Sequence, residues 1–376
     1  MRAMKERSKR LLGIALLIIV FAGAGAYYCV YVRVPPRPVS AEAGGWDERH
    51  GEDYFRVNDE SNRLIFTTGH AVTVGDEFIA EDETRCQVVT VAGNVATAKS
   101  LGKMESLVEF PAMEAEAKPS GTSTVGIYHT HSDESYLPSD GSDSIPAKGG
   151  VLRVGTSMAS ALDKKGVKVI HSLTPHDPHD AGAYDRSRRT AAQILRDKPM
   201  ALFDVHRDAG PAEPYLKDIP GQGEVAKAMI VVGRTNPKSS ANLSFARRLM
   251  NAVNAKYPGL VKGIFMGKAG FNQDLYDRSL LLEMGTEKTT REAAEKGAAL
   301  IGSVVPSILG VSGGPSGGST GRAIAWILGL SVAGTFVYLW VSTGSWGELR
   351  AKVMGWFGAG GVRVGGGRKN GGAGTN

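Results

Sequence analysis

Cysteine is scarce, with two in a chain of 376 residues. Cys29 lies in an apolar run and Cys86 in a polar, alternating stretch, so the two occupy different environments and do not pair. That excludes a disulfide framework, and any folded part must be held by an apolar core, which the length of the chain allows. The middle of the chain lacks a basic stripe interleaved with aromatic residues, so the formal charge of +6 does not point to nucleic acid. Walker and dinucleotide-binding glycine loops are missing, as is any internal repeat, which excludes the common nucleotide-binding and solenoid classes. Apolar runs long enough for a membrane occur in two places only.

The first, Leu11–Val32, has 22 residues without a charge, enough for a bilayer whose hydrocarbon core takes about 20 helical residues. Arg2, Lys5, Arg7, Lys9 and Arg10 precede it, so residues 1–10 form a basic cytoplasmic end under the positive-inside rule. Small residues at 22–26 would suit a signal peptidase, but the apolar run continues past them, and the expectation is an uncleaved anchor. The second run, Ala323–Val341, has 19 residues with Trp and Tyr near its ends, close to the lower limit for a span. Its alternative is a buried or interfacial helix; the Gly/Ser linker 310–322 sets it apart from what precedes and favours a second transmembrane segment. Arg350, Lys352, Arg363, Arg368 and Lys369 in the basic, glycine-rich tail 342–376 suit the cytoplasmic side. Both charged ends are then drawn to anionic lipid, and everything between the spans lies outside the cell membrane.

Residues 33–60 are proline-rich and then polar, as a linker would be. Residues 61–121 read as a small β-rich domain and a connector, because short alternating runs such as "RLIFTTG", "AVTVGDEFIA" and "CQVVTVAGN" are divided by glycine and acidic turns. No residue there suggests chemistry. From 122 to 309 apolar strands alternate with amphipathic helices, the pattern of an α/β sheet with helices on its faces. The expected strands are 123–129, 167–171, 200–206, 227–233 and 279–284, and the expected helices 151–165, 185–197, 239–256 and 287–309. Helix 239–256 carries Leu243, Ala246, Leu249 and Val253 on one face and Arg247, Arg248 and Lys256 elsewhere, and stops at "YPG".

In open α/β sheets the binding residues collect beyond the carboxyl ends of strands. Three expected strands end in reactive side chains: "YHTHSDES" after the first, "FDVHRDA" at 203–209 and "LLLEMG" at 280–285. A catalytic zinc site commonly takes two histidines and a carboxylate and keeps one position open. His131 and Glu134 are spaced to turn toward one ion, and His206 arrives from another strand to complete the set. Glu283 is the candidate general base and acid for amide hydrolysis. His129 competes with His131 as the histidine ligand, and Asp177 in the loop "TPHDPHD" competes with Glu134. Arg207 and Asp208 either hold substrate, orient the ligands or pair structurally. "YDRSRRT" at 184–190 reads as a helix start, and "FNQDL" at 271–275 as a loop beside the cleft. The spacing also suits a zinc carboxypeptidase, and the same pocket without the reaction would suit a non-catalytic binding or assembly protein.

Taken together and in order, "IYHTHSDESY", "YDRSRRTAAQIL", "FDVHRDA", "VVGRTNP", "YPGLVKGIF" and "FNQDLYDRSLLLEMG" resemble the stage II sporulation protein P family over about 122–309. The resemblance implies the fold of N-acetylmuramoyl-L-alanine amidases and a zinc-dependent peptidoglycan hydrolase, acting as amidase and endopeptidase in septal wall remodelling during sporulation engulfment. It carries His131, Glu134 and His206 over as zinc ligands and Glu283 as the catalytic residue. It implies stage II sporulation proteins D and M as partners, beside peptidoglycan and the membrane. The second apolar run and the basic tail depart from the family's usual single amino-terminal anchor.

Overall fold

The computed structural model describes residues 53–105, 123–180 and 182–311. The basic end, both expected transmembrane segments, the tail, and most of the linkers and the connector lie outside the described residues. Among the described residues, no helix is long and apolar enough to cross a membrane.

The chain begins with five strands, β1 (Phe55–Asp59), β2 (Leu64–Thr68), β3 (Glu77–Ala80), β4 (Thr84–Ala92) and β5 (Val95–Lys103). There follow β6 (Thr124–Tyr128), the one-turn helix α1 (Leu137–Asp140), α2 (Val151–Asp163), β7 (Lys168–His171), α3 (Ala183–Leu195) and β8 (Ala201–Asp208). A hairpin of β9 (Leu216–Ile219) and β10 (Gly223–Ala226) precedes β11 (Ala228–Gly233), α4 (Ser239–Lys256), β12 (Val261–Gly267), β13 (Ser279–Thr286), α5 (Arg291–Gly302) and α6 (Val305–Ile308). The result is a mixed α/β fold.

Every strand except β9 and β10 belongs to one sheet, ordered β2-β1-β5-β4-β3-β12-β11-β13-β8-β6-β7. β7, β6, β8 and β13 run parallel in that order, and β13 meets β11 antiparallel. β11 is parallel to β12, and β12 is antiparallel to β3. The strands expected as a small unit thus continue the sheet of the α/β segment without a break. Alternation of apolar residues marks a strand but does not name its neighbour. Phe55–Asp59 falls in the stretch expected as linker; Phe55 and Val57 alternate into the core, and the strand pairs with both β2 and β5.

The two faces of the sheet bury different cores. On one, Val125, Ile127, Val205, Ile230, Leu280 and Leu282 pack against Val154, Met158 and Leu162 of α2, Leu249 and Val253 of α4, and Ile301 of α5. Each such side chain contributes about 1.5–3 kcal/mol by leaving water. Leu243, Ala246, Leu249 and Val253 of α4 face this core as the periodicity predicts. Arg247, expected outside the apolar face, is buried instead, because its guanidinium lies 2.8 Å from Glu83 and donates to the Glu105 carbonyl. The expected helix 287–309 is two helices: Thr290 caps α5 by accepting the Ala293 N–H, and Pro306 opens α6.

The opposite face carries Leu202, Asp204, His206 and Asp208 of β8 and Leu281 and Glu283 of β13, set by the two-residue alternation of strands. Over part of it the first five strands curl back. Phe66 of β2 stacks on Phe78 of β3 with ring centroids 4.4 Å apart, although three strands separate them in the sheet. Phe66 also reaches Phe265 of β12 at 5.4 Å. This curl brings the turn after β2 over Glu283.

Candidate active site

Each reactive side chain comes from a strand end or the turn just after one. His131 and Glu134 follow β6, His206 lies on β8, and Glu283 on β13 pairs in register with His206. β13 kinks right after Glu283, where its register against β8 shifts and Gly285 takes φ +73°. A Cβ at Gly285 would lie 2.4 Å from Thr289 Oγ1, so both the conformation and the space call for glycine.

His131, Glu134 and His206 offer donor atoms that all lie within 4.8 Å of one another. Nδ1 of His131 and Nδ1 of His206 each sit 3.2 Å from Glu134 Oε1. The other carboxylate oxygen, Oε2, accepts the backbone N–H of Arg207 at 2.8 Å, which fixes the rotation of the carboxylate. His206 Nε2 makes a charge contact with Asp204 Oδ1 at 3.0 Å, and Asp204 in turn accepts both the N–H and the hydroxyl of Thr130. Two imidazoles and one carboxylate, buried and converging, fit a zinc ion by donor type and number, with a carboxylate behind one imidazole as is usual for a metal-binding histidine.

Burial works against charge on these groups, and their neighbours overcome it. The Asp204 and Glu134 carboxylates hold the His206 pKa well above the ordinary histidine value. His206 and His131 hold Glu134 well below the ordinary carboxylate value. Glu283 differs, because burial lifts it to about 7 and the hydrogen bond from His70 only partly offsets this.

His70 Nε2 lies 2.7 Å from Glu283 Oε1, with the imidazole N–H donating to the carboxylate. Glu283 Oε2 is buried without a hydrogen-bond partner among the described residues. The β-rich stretch, where the sequence suggests no chemistry, thus supplies a side chain bonded to Glu283. Nothing near position 70 in the sequence announces it, since its partner is 213 residues away.

Arg207 and Asp208 do not face the cluster as freely as the sequence allows. The Arg207 guanidinium donates to the carbonyls of Ser135 and Asp143, pinning the turn that carries Glu134. Asp208 accepts from the Thr68 hydroxyl, the Gly69 and Ala209 N–H groups and the Tyr215 hydroxyl. His129 turns away: its Nδ1–H donates to the Val205 carbonyl at 2.7 Å, and its Nε2 accepts from His171 at 2.8 Å. Burial pushes its pKa down to about 3, so the ring stays neutral. Asp177 reaches Ser132 Oγ at 3.4 Å and stays outside the cluster.

Rings wall the site. His179 stacks on His131 with centroids 3.7 Å apart, and Tyr184 meets His131 edge-on at 5.4 Å. Phe271 of "FNQDL" meets Tyr184 and His70 edge-on at 5.6 and 5.5 Å. "YDRSRRT" opens α3 as expected, and its Arg188 binds Asp274 through two nitrogens. Asp204 went unremarked in the sequence, although a carboxylate two residues before His206 on a strand must share its face.

A family model described as stage II sporulation protein P matches residues 76–306, more than half of the chain. Stage II sporulation protein P of Bacillus subtilis (strain 168) is 32% identical over 193 residues, covering 46% of this chain. The match spans about half the length of that protein, 48%. Among solved structures, the N-acetylmuramyl-L-alanine amidase Ami1 of Mycobacterium smegmatis is similar at 18% identity and a TM-score of 0.34, covering 51% of this chain and 98% of that one. The CwlD amidase of Clostridioides difficile, solved in complex with the GerS lipoprotein, is similar at 14% identity and a TM-score of 0.35, covering 51% of this chain and all of that one (100%). On the family match, which takes in His131, Glu134, His206 and Glu283, this chain belongs to the stage II sporulation protein P family.

Proposed function

We propose that this chain is a membrane-anchored, zinc-dependent peptidoglycan hydrolase with an amidase-type fold. It cleaves the amide between N-acetylmuramic acid and the stem peptide, and also peptide cross-links, in septal wall remodelling during sporulation engulfment. The observation that carries the reading is the convergence of His131, Glu134 and His206 within 4.8 Å, on the sheet face that also bears Glu283. Membership of the family supports the substrate class. The apolar run 11–32 and the basic residues before it support anchoring with the catalytic part on the extracytoplasmic side. Stage II sporulation proteins D and M are the partners this reading implies.

In this mechanism His131, Glu134 and His206 would hold zinc, which would supply Lewis acidity and lower the pKa of the attacking water. Asp204 keeps the His206 ring oriented, and the Arg207 N–H keeps Glu134 from rotating. Glu283 receives the proton of the attacking water at Oε2, the oxygen without a partner among the described residues, and gives it to the departing amine. The new C–O bond replaces the C–N bond, and the base is regenerated. Tyr184, Phe271 and His179 keep bulk water from the reacting centre.

The test incubates the purified full chain, loaded with zinc, with cell-wall peptidoglycan and identifies the new ends by mass spectrometry. Free stem-peptide amino termini are expected, and Glu283→Gln should lower the rate by about 100-fold or more while zinc stays bound. Full activity in Glu283→Gln, or a wild-type chain that takes up no zinc, overturns the proposal.

A further inference from the structure

The hydrolytic reading names its residues from the stretch 122–309, yet one of the groups bonded to Glu283 comes from elsewhere. His70 lies in the turn after β2, six residues before the part of the chain that the family model matches. It is 4% exposed, and its ring is set between Phe265 at 6.1 Å and Phe271 at 5.5 Å. Its backbone is held as well as its ring. The His70 N–H donates to Thr68 Oγ1 at 3.2 Å, the Thr68 hydroxyl donates to Asp208 Oδ1 at 3.0 Å, and the Gly69 N–H donates to the same oxygen at 2.6 Å.

We infer that His70 is a positioning residue for Glu283: it binds Oε1 and so leaves Oε2 as the oxygen that handles the proton. A glutamate side chain has three torsions, and a carboxylate bonded at one oxygen loses most of that freedom. A strand end tied to Asp208 is a rigid place from which to hold it. The charge-assisted N–H···O bond at 2.7 Å is short enough to define the carboxylate plane. The unbonded Oε2 is the complement of that arrangement, since most buried carboxylate oxygens have a partner and this one is left open beside the cluster. His70 touches neither zinc nor substrate in this scheme, and it acts through Glu283. The inference rests on Glu283 being the base of the proposed hydrolysis.

The experiment compares His70→Ala, His70→Leu and His70→Gln in the full chain loaded with zinc, reading kcat, KM, zinc content and melting temperature. Gln keeps an N–H near the place of Nε2, whereas Leu keeps bulk alone. The expected result is a fall in kcat of about 10- to 100-fold for Ala and Leu, the usual effect of removing a hydrogen-bonded partner behind a reacting group. KM and zinc content should stay within about twofold, and Gln should recover most of kcat. A second measurement is independent of activity: in the zinc-free chain, the ¹⁵N shift of His70 Nε2 should move in Glu283→Gln. Unchanged or raised kcat in Ala and Leu, no recovery in Gln, or an unmoved ¹⁵N shift overturns the inference. If Glu283→Gln itself keeps full activity, the hydrolytic reading fails first; if Glu283→Gln is inactive while His70→Ala is not, this inference alone fails.

Discussion

At the scale of single residues, one strand position does two kinds of work. Glu283 is an acid in an apolar strand, and burial moves its pKa to about 7. A base must be ionised to accept a proton, so the hydrolytic rate should rise with pH up to about 7 and then level off. Below that it should fall about tenfold per unit, because only the ionised fraction reacts. His70 holds the Glu283 pKa down, so in His70→Leu the same limb should move to higher pH. A pH–rate profile of wild type and variant checks both statements, and a limb near the ordinary carboxylate value would contradict them. The cluster residues His131, Glu134 and His206 were legible as candidates because two strand ends carry histidine and one of them an acid partner, although a single histidine after a strand is more often an ordinary polar residue. The choice between His129 and His131 was not legible, since it depends on the carbonyl of Val205 and the ring of His171 taking both nitrogens of His129.

At the scale of elements, α2 sets one glycine against the histidine that follows β6 and the histidine that ends β7. A Cβ at Gly155 would stand 2.5 Å from the buried His129 ring and 2.8 Å from Nε2 of the half-buried His171. Gly155→Ala should therefore destabilise the chain by about 1–3 kcal/mol despite the better helix propensity of alanine, because the buried His129 ring is held at both nitrogens and does not move aside freely. Thermal unfolding of the zinc-free chain measures it, and an unchanged or higher melting temperature would show that the rings yield. Most elements were readable from periodicity: α4 has the expected limits, and β6, β7, β8, β11 and β13 overlap their expected ranges. β12 was not, since Val261–Gly267 carries two glycines and has a register shift against β11 at its start. The β9–β10 hairpin is also too short for its pattern to stand out.

At the scale of the whole molecule, the turn after β2 and the strand β8 are joined through Asp208. Its carboxylate gathers donors from Thr68, Gly69, Ala209 and Tyr215. Asp208→Ala should then lower kcat as His70→Leu does, and the double variant should be little worse than either, a non-additivity of about 0.5–3 kcal/mol. Additive losses in that double-mutant cycle would mean that Asp208 does not act through His70. Sequence alone determined the residue chemistry and the periods: where most of the strands and helices of the α/β segment lie, and which strand ends carry imidazole and carboxylate. Those follow from local rules of backbone and side chain, which operate within a few residues. Tertiary structure decided how the sheet curls, and with it that the turn bearing His70 lies on Glu283 and that His131 rather than His129 meets Glu134. Contacts between residues tens or hundreds of positions apart depend on strand order and sheet twist, and no short window of sequence encodes either.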